Sequence, residues 1–182
     1  MRIGRIPYIN CYPVYGAIDR GIVPLDGELV DGVPTVLNRG MRDGTLDVSV
    51  ISAVEYAADA SRYLLLPDLG ITSAGPVRSV VMFSKRPAEA LSGQRVLVSR
   101  SSMTSVALLE LLFEHVWHAT PQFVPADAEM SDVESFERDP HEARLVIGDA
   151  ALLLHTRLHA PGDAPLARPS DYQHAYDLGA EW

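Results

Sequence analysis

The sequence of 182 residues contains one cysteine, Cys11, and no apolar run long enough to cross a membrane. A lone cysteine cannot form an internal disulfide bond, so a reducing compartment is the expected setting. The segment from Met1 to Ala17 has Asn, Pro and Tyr where a secretory signal needs an unbroken apolar core. These absences predict a cytoplasmic protein with no membrane partner.

Positive charge is also scarce. Fifteen Lys and Arg residues against twenty-four Asp and Glu residues give a formal net charge of −9 at pH 7. Nonspecific binding to nucleic acid or to an anionic membrane needs excess positive charge, so neither is an expected partner. An anionic ligand would have to be held by a local site. With 47% hydrophobic residues, the chain can form one large core or two small ones.

The signatures of several catalytic sites are missing. The sequence has no phosphate-binding P-loop, no dinucleotide fingerprint and no nucleophile-elbow serine. His115 and His118 lie three residues apart, but no further ligands follow at a recognisable spacing, so no metal site is predicted. Cys11 has no His or Asp partner nearby in the sequence and is interpreted as a packing residue.

Short apolar segments alternate with helix-like segments, which is typical of α/β proteins with largely parallel strands. The predicted strands are 3–8, 29–33, 48–51, 77–83, 96–98, 123–124 and 145–147. Ser52 is followed three residues later by Glu55, and this capping box predicts that each side chain bonds a backbone N–H of the other residue. Further helix N-caps are predicted at Thr35, Ser101 or Ser102, Ser131 and Asp149.

The chain divides into two predicted sets of strands and helices. We predict a first lobe at 1–76, a crossing strand at 77–86, a second lobe at 87–168 and a return segment toward the first lobe at 169–182. Two α/β lobes joined by crossing segments form a cleft, and such clefts commonly bind ligands. Functional loops follow the carboxyl ends of the strands, here at "INC", "ISA", "SRSSMTS" and "GDA".

Hydroxyl groups are concentrated in "SRSSMTS", where Ser102, Thr104 and Ser105 stand at the start of a predicted helix. Hydroxyls, free N–H groups and the positive end of the helix dipole together suit a carboxylate or a phosphate. Ordinary helix capping is the alternative, and it needs only one hydroxyl. The residues alone leave both interpretations open.

The crossing strand carries Arg78 and Ser79. Arg78 could bind a carboxylate through two parallel hydrogen bonds, or it could form a surface ion pair near a hinge. Ser79 would face the cleft if the strand alternates. Asp149 and Glu55 are both explained by helix capping. Up to this point the sequence predicts a two-lobed α/β protein that binds a small anion.

Six segments in order resemble the chorismate dehydratases of the futalosine route to menaquinone. They cover nearly the whole chain: "IPYINCYPVY", "PTVLNRGMRDGTLDVSVISAVEY", "LLLPDLGITSAGPVRSVVMFS", "SSMTSVALLELLF", "LVIGDAAL" and "YDLGAEW". The resemblance implies a type-2 periplasmic-binding-protein-like fold, with two lobes around a cleft. It also implies a hydro-lyase that removes water from chorismate to give 3-[(1-carboxyvinyl)oxy]benzoate, without a metal or organic cofactor.

The resemblance also implies roles for particular residues. Asn10 matches the family's asparagine after the first strand and would orient the substrate or the leaving hydroxyl. Ser79 matches the serine of the crossing strand and is the second catalytic candidate. Ser102, Thr104 and Ser105 match the family's "S-x-T-S", which would bind a carboxylate at a helix start. Ser52 is carried over as a further substrate-binding candidate, although its capping box also explains it. Arg78 is a substrate-binding candidate on its own chemistry and not by the resemblance.

The sequence departs from the family at its end, because the resemblance implies further residues after "DLGxxW" that complete the first lobe. An incomplete lobe would leave an unpaired strand edge and exposed apolar surface. We therefore expect reduced stability or a homo-oligomer. The principal rival function is a small-anion solute-binding or sensing module of the same fold without chemistry. A third interpretation is an enzyme that acts on another cyclic carboxylate.

Overall fold

The structure is a computed structural model that describes residues 1–126, 139–159 and 172–182. The chain separates into two compact units. Met1–Thr72 and Ser101–Thr104 form the first unit, and Ser73–Arg100 and Ser105–Trp182 form the second. The bounds of these units differ from those of the predicted lobes, 1–76 and 87–168. The extents of the lobes stay a prediction.

A parallel three-stranded sheet forms the centre of the first unit. Its strand order is β2-β1-β3, and both outer strands run parallel to β1. The carboxyl ends of the strands therefore share one edge, where the segments that follow them begin. The elements are β1 (Arg2–Arg5), α1 (Tyr12–Asp19), β2 (Glu28–Asp31), α2 (Pro34–Arg42), β3 (Val48–Ser49) and α3 (Ala53–Ala58), with 3-10 turns at Ile9–Cys11 and Ala60–Arg62.

The core of the first unit is small. The Tyr15 hydroxyl donates a hydrogen bond of 2.8 Å to the Gly4 carbonyl, which fastens α1 to β1 while the phenol ring is buried. Burial of such side chains supplies most of the stabilisation of a unit this size. The buried apolar residues are Ile3, Ile6, Cys11, Tyr15, Leu37 and Leu46.

The second unit contains a five-stranded mixed sheet of order β6-β5-β7-β4-β8. Strand β5 runs parallel to β6 and β7, whereas β4 runs antiparallel to both β7 and β8. The elements are β4 (Val80–Ser84), β5 (Arg95–Ser99), α4 (Met103–His115), β6 (Gln122–Ala126), β7 (Ala143–Ile147), α5 (Asp149–His159), β8 (His174–Asp177) and α6 (Leu178–Glu181), with a 3-10 turn at Ala88–Ala90.

Two layers cover the second sheet. Leu109, Leu112 and Phe113 of α4 belong to one buried cluster with residues of β4, β5 and β7. Ala151 and Leu154 of α5 belong to another, with residues on the opposite faces of β4 and β7. Because both faces are covered, β7 is buried at every position. This explains why the strand is apolar at consecutive positions from Leu145 to Ile147, although Arg144 is buried with them.

Each predicted strand overlaps an observed one, but several bounds are wrong. The strands predicted at 3–8, 29–33 and 48–51 end earlier, at Arg5, Asp31 and Ser49. Strand β4 begins at Val80, so Val77 to Ser79 precede it in irregular backbone and the strand predicted at 77–83 was placed too early. The N-caps predicted at Thr35 and Asp149 are also wrong, because α2 begins at Pro34 after Val33 and α5 begins at Asp149 itself, after Gly148. Proline suits the first helical position, where its missing N–H would have no partner. The helix predicted after Ser131 lies outside the described residues.

Strand β8 was not predicted from the sequence. It pairs antiparallel with β4 in the second unit. The predicted return segment at 169–182 includes this strand. Among the described residues, no helix combines the length and apolar character needed to span a membrane.

Candidate active site

Asn10 lies just beyond the carboxyl end of β1, in the 3-10 turn Ile9–Cys11. The residue is exposed, and its side-chain amide makes no hydrogen bond to a described residue. Cys11 is the N-cap of α1, and no side chain caps that helix end. Asn10 therefore does not cap the helix behind it, and its amide is available to a ligand.

The neighbouring thiol of Cys11 belongs to the core. Cys11 is 2% exposed and packs among the buried apolar residues of the first unit. Burial raises the pKa of the thiol, which disfavours the nucleophilic thiolate. The interpretation of Cys11 as a packing residue is confirmed.

Ser52 follows β3 and caps α3, as predicted, through a hydrogen bond of 3.1 Å that its Oγ accepts from the Glu55 N–H. The other half of the predicted capping box is wrong. Asn38 Oδ1, rather than the Glu55 carboxylate, accepts the Ser52 N–H at 3.2 Å. Asn38 Nδ2 also donates to Ser52 Oγ at 3.0 Å. A buried amide of α2 thus holds both polar groups of Ser52.

The Glu55 carboxylate has other partners. Arg42 contacts both of its oxygens, with Nε 3.0 Å from Oε1 and Nη2 in a short contact with Oε2. The Tyr63 hydroxyl donates to Oε1 at 2.7 Å. The hydrogen bonds from Arg42 are the main cause that lowers the pKa of Glu55, so the carboxylate stays ionised. A base already bonded in this way is poorly suited to accept a proton from a substrate.

The serine-rich segment is divided between the two units, with Ser101–Thr104 in the first and Ser105 in the second. Helix α4 begins at Met103, directly after the predicted caps. Met103 Sδ lies 3.6 Å from Asn38 Nδ2, which links this segment to Ser52 through one amide group. Thr104 Oγ1 is buried and has no hydrogen-bond partner among the described residues. Ser102 is half-buried and Ser105 is buried.

In the second unit, one carboxylate holds the backbone before β4. Asp177 Oδ1 accepts the Val77 N–H at 2.9 Å, and Oδ2 accepts the Arg78 N–H at 2.5 Å. Asp177 Oδ1 also accepts the Gly179 N–H at 2.9 Å at the start of α6. Arg78 has a positive φ of 63°, a conformation unfavourable for a residue with a Cβ. The charge-assisted bonds to Asp177 offset that cost.

Gly179 belongs to the same arrangement. A Cβ at this position would lie 2.5 Å from the Gly75 carbonyl oxygen and 2.6 Å from Val77 Cγ2. The loop therefore approaches Gly179 more closely than any side chain allows. The "DLG" segment fixes the residues that lead into Ser79.

Ser79 directly precedes β4, and its carbonyl accepts the Gly148 N–H at 2.8 Å. Val80 pairs with Ile147, so Ser79 lies at the carboxyl end of β7, next to the "GDA" segment. The residue is half-buried, and its hydroxyl makes no hydrogen bond to a described residue. Arg78 is exposed.

Five of the seven sequence candidates fall into two groups, whereas Asn10 follows β1 and Ser105 lies in the second unit. Ser52 and the 102–104 segment meet at Asn38 in the first unit, and Arg78 adjoins Ser79 in the second. The sequence interpretation missed Asn38 and Asp177. An amide beside Leu37 on an otherwise apolar helix face was the available signal for Asn38, and an Asp preceding a short helix was the signal for Asp177. Within the part of the chain that the structure describes, no three His, Cys, Asp or Glu residues are grouped as metal ligands would be.

Solved structures define the class of protein. The chain is similar to the protein AF1704 of Archaeoglobus fulgidus, with 23% identity, a TM-score of 0.63, and coverage of 86% of this chain and 56% of that one. It is also similar to the alkanesulfonate-binding protein SsuA of Xanthomonas axonopodis, with 14% identity, a TM-score of 0.53, and coverage of 81% and 54%. These likenesses, with two α/β sheets, define a type-2 periplasmic-binding-protein-like fold, as predicted.

Within this class, the chain belongs to the menaquinone biosynthesis family, whose model matches residues 1–182. A curated relative is the chorismate dehydratase of Thermus thermophilus, which is 29% identical over 155 residues. The match covers 84% of this chain and 54% of the relative, so the chain spans about half the length of that protein. The predicted family resemblance is confirmed.

Proposed function

We propose that the chain is part or all of a chorismate dehydratase, a carbon–oxygen lyase that forms 3-[(1-carboxyvinyl)oxy]benzoate for menaquinone biosynthesis. The observation that carries the proposal is the match of the menaquinone biosynthesis family along residues 1–182. The similarity to the Thermus thermophilus chorismate dehydratase supports the particular reaction within that family.

The reaction breaks one C–O bond and one C–H bond of the chorismate ring and releases water. The ring hydroxyl leaves, the neighbouring ring carbon loses its proton, and the ring becomes aromatic. Because aromatisation supplies driving force, the protein mainly has to orient a dianion and assist the departing hydroxyl. A carboxylate of the substrate itself can accept the ring proton.

The candidate residues fit these tasks. Asn10 and Ser79 are assigned to catalysis, because each presents a neutral hydrogen-bonding group with no partner among the described residues. A neutral amide or hydroxyl can donate a hydrogen bond to the negative charge that develops on the departing hydroxide. Binding of the two substrate carboxylates is assigned to hydroxyl and guanidinium donors: Ser52, Arg78, Ser102, Thr104 and Ser105.

A local anion site is needed because the whole chain repels anions. The formal charge of −9 disfavours a dicarboxylate at long range. Short hydrogen bonds to neutral hydroxyls, with one guanidinium, supply the attraction only at close range. The biosynthetic family favours a cytoplasmic enzyme whose partner is a small molecule. We also expect the chain to associate with itself.

The proposal is tested by incubating the 182-residue chain with chorismate and recording ultraviolet spectra, with product identified by mass. Appearance of the aromatic ether at a rate proportional to protein concentration is the expected result. Calorimetric binding of chorismate without any product would instead favour the rival, a small-anion binding module of the same fold.

A further inference from the structure

Asn38 is a polar side chain at a position where the core would accept an apolar one. It lies on α2 next to Leu37, and only 1% of its surface is exposed. An amide is costly to bury unless all of its groups are bonded. Its partners are Ser52, through the backbone N–H and Oγ, and Met103 Sδ. These bonds, rather than packing, explain why an amide is suited to this place.

The Ser52 N–H fixes which way the amide faces. A backbone N–H can only donate, so the Asn38 atom 3.2 Å from it must be the oxygen Oδ1. The nitrogen Nδ2 then faces Ser52 Oγ at 3.0 Å, and an amide nitrogen can only donate. Ser52 Oγ is therefore an acceptor in this contact.

The hydroxyl of Ser52 accepts twice. Besides Asn38 Nδ2, the Glu55 N–H donates to Oγ at 3.1 Å. A serine hydroxyl has two lone pairs and one proton, so both of its acceptor sites are occupied. No described residue receives the remaining proton, and Ser52 is half-buried rather than enclosed. The hydroxyl is held as a donor.

We propose that Asn38 is a positioning residue that holds the Ser52 hydroxyl as a hydrogen-bond donor to a carboxylate oxygen of the substrate. The inference rests on the proposed function, because chorismate supplies that carboxylate. Asn38 Nδ2 also contacts Met103, which stands between Ser102 and Thr104. One buried amide thus links the Ser52 hydroxyl to the segment assigned to carboxylate binding. Helix capping alone requires the bond to Glu55 and leaves the bonds to Asn38 unexplained.

The decisive variant is Asn38→Asp, which preserves shape. Its carboxylate still accepts the Ser52 N–H, but its second oxygen accepts where Nδ2 donated. The Ser52 proton then turns inward to that oxygen and is lost to the substrate. We expect the KM and the Kd for chorismate to rise about tenfold or more, as for loss of a hydrogen bond to a charged group. Ser52→Ala is expected to have a similar effect.

A double-mutant cycle separates this mechanism from other effects of Asn38→Asp. The new charge would repel a substrate carboxylate whether or not Ser52 is present. Loss of the Ser52 donor, in contrast, can occur only once. For the double variant Asn38→Asp/Ser52→Ala we therefore expect a fold-increase in Kd much smaller than the product of the fold-increases of the two single variants. Ser61→Ala, which removes a surface hydroxyl bonded to Asp59, is the control with an unchanged Kd.

Two results would overturn the inference. One is independent, multiplicative losses from the two substitutions, and the other is an Asn38→Asp variant with wild-type affinity. If Asn38→Asp does not fold, Asn38→Leu replaces it in the double-mutant cycle with Ser52→Ala, because Leu adds no charge. A wild-type chain that neither binds nor converts chorismate would overturn the proposed function instead. The same cycle is then measured with benzoate and isophthalate, and the absence of coupling with these carboxylates refutes the role of Asn38.

Discussion

Glu55 shows how a single buried carboxylate can serve the fold rather than the chemistry. It is 2% exposed, while its partner Arg42 is about half exposed in its side chain. Tyr63 bonds the same carboxylate, and the burial of that phenol is the main cause that raises its pKa. The three side chains connect α2, α3 and the segment after the Ala60–Arg62 turn. Removal of one partner from such a group leaves the others unsatisfied.

The pKa of Glu55 leads to a prediction about pH. Because the folded-state pKa is lowered from its ordinary value of 4.5, ionised Glu55 stabilises the fold fully above that value, and this contribution is lost as pH falls through the folded pKa. We expect Glu55→Gln to reduce the free energy of unfolding at pH 7 by about 1–3 kcal/mol. Thermal melts between pH 7 and pH 3 should show the difference from wild type shrinking below about pH 4.

Glu28 provides the matched control for Glu55. Its side chain is 69% exposed, and its contact with Arg2 is 3.6 Å long. Glu28→Gln should change stability little, as is usual for surface ion pairs. A Glu55→Gln variant that melts with wild-type stability at pH 7 would contradict a structural role for the carboxylate.

At the scale of elements, the backbone before β4 depends on a residue far away in sequence. Val77 and Asp177 are separated by a hundred positions, yet the carboxylate holds the backbone that precedes Ser79. Strand β8 places Asp177 there by pairing with β4, with Asp177 opposite Val81. The conformation of a proposed catalytic segment is thus determined by the pairing of two strands.

Gly179→Ala tests this arrangement. The added Cβ would overlap the Gly75 carbonyl and the Val77 side chain, which must push the loop away from α6. We expect a loss of about 1–3 kcal/mol in urea unfolding, together with reduced dehydration of chorismate. Gly70→Ala is the control, because its Cβ would meet nothing within 4 Å. Equal stability of the two variants would refute the close approach.

The sequence predicted elements better than the contacts between them. The strands that became β1, β5 and β7 were predicted because local apolar runs determine them. The start of β4 was misplaced because the bonds that the Val77 and Arg78 N–H groups donate to the distant Asp177 carboxylate leave no local signal in the sequence. Strand β8 was missed because its sequence, "HAYD", has two polar residues among four and no apolar run. Its side chains are half-buried in the structure.

The candidate site shows the same limit. Hydroxyl groups and their helix starts were visible in the sequence, and Ser52 was correctly predicted as a cap. The acceptor of the Ser52 N–H was predicted to be the side chain of Glu55, three residues away. The structure shows the side chain of Asn38 instead, fourteen residues away. Arg42 and Tyr63 bond the Glu55 carboxylate in place of the Ser52 N–H, and a local motif does not reveal such partners.

At the scale of the whole molecule, apolar surface is concentrated in one segment of the first unit. Leu64 is fully exposed, and the segment continues in irregular backbone. Large contiguous apolar surface favours association with another apolar surface. The other large exposed apolar side chains of this segment are Leu65, Leu66, Leu69 and Ile71.

This surface predicts self-association of the 182-residue chain. We expect the apparent mass from multi-angle light scattering to rise with protein concentration. The variant Leu64→Ser/Leu66→Ser should remove much of that rise, because it deletes two exposed apolar side chains without touching the core. Val116→Ser, at an exposed apolar position of the second unit, serves as the control. A wild-type chain that stays monomeric at all concentrations would contradict the expectation.

The most direct test of the proposed function compares wild type with Asn10→Ala in the conversion of chorismate. Asn10 is exposed and makes no side-chain hydrogen bond to a described residue, so the substitution should leave the melting temperature unchanged within a few degrees. We expect the wild type to form the aromatic ether and the folded variant to form none above background. Equal rates for the two proteins would contradict the catalytic role of Asn10, and absence of product from the wild type would contradict the dehydratase.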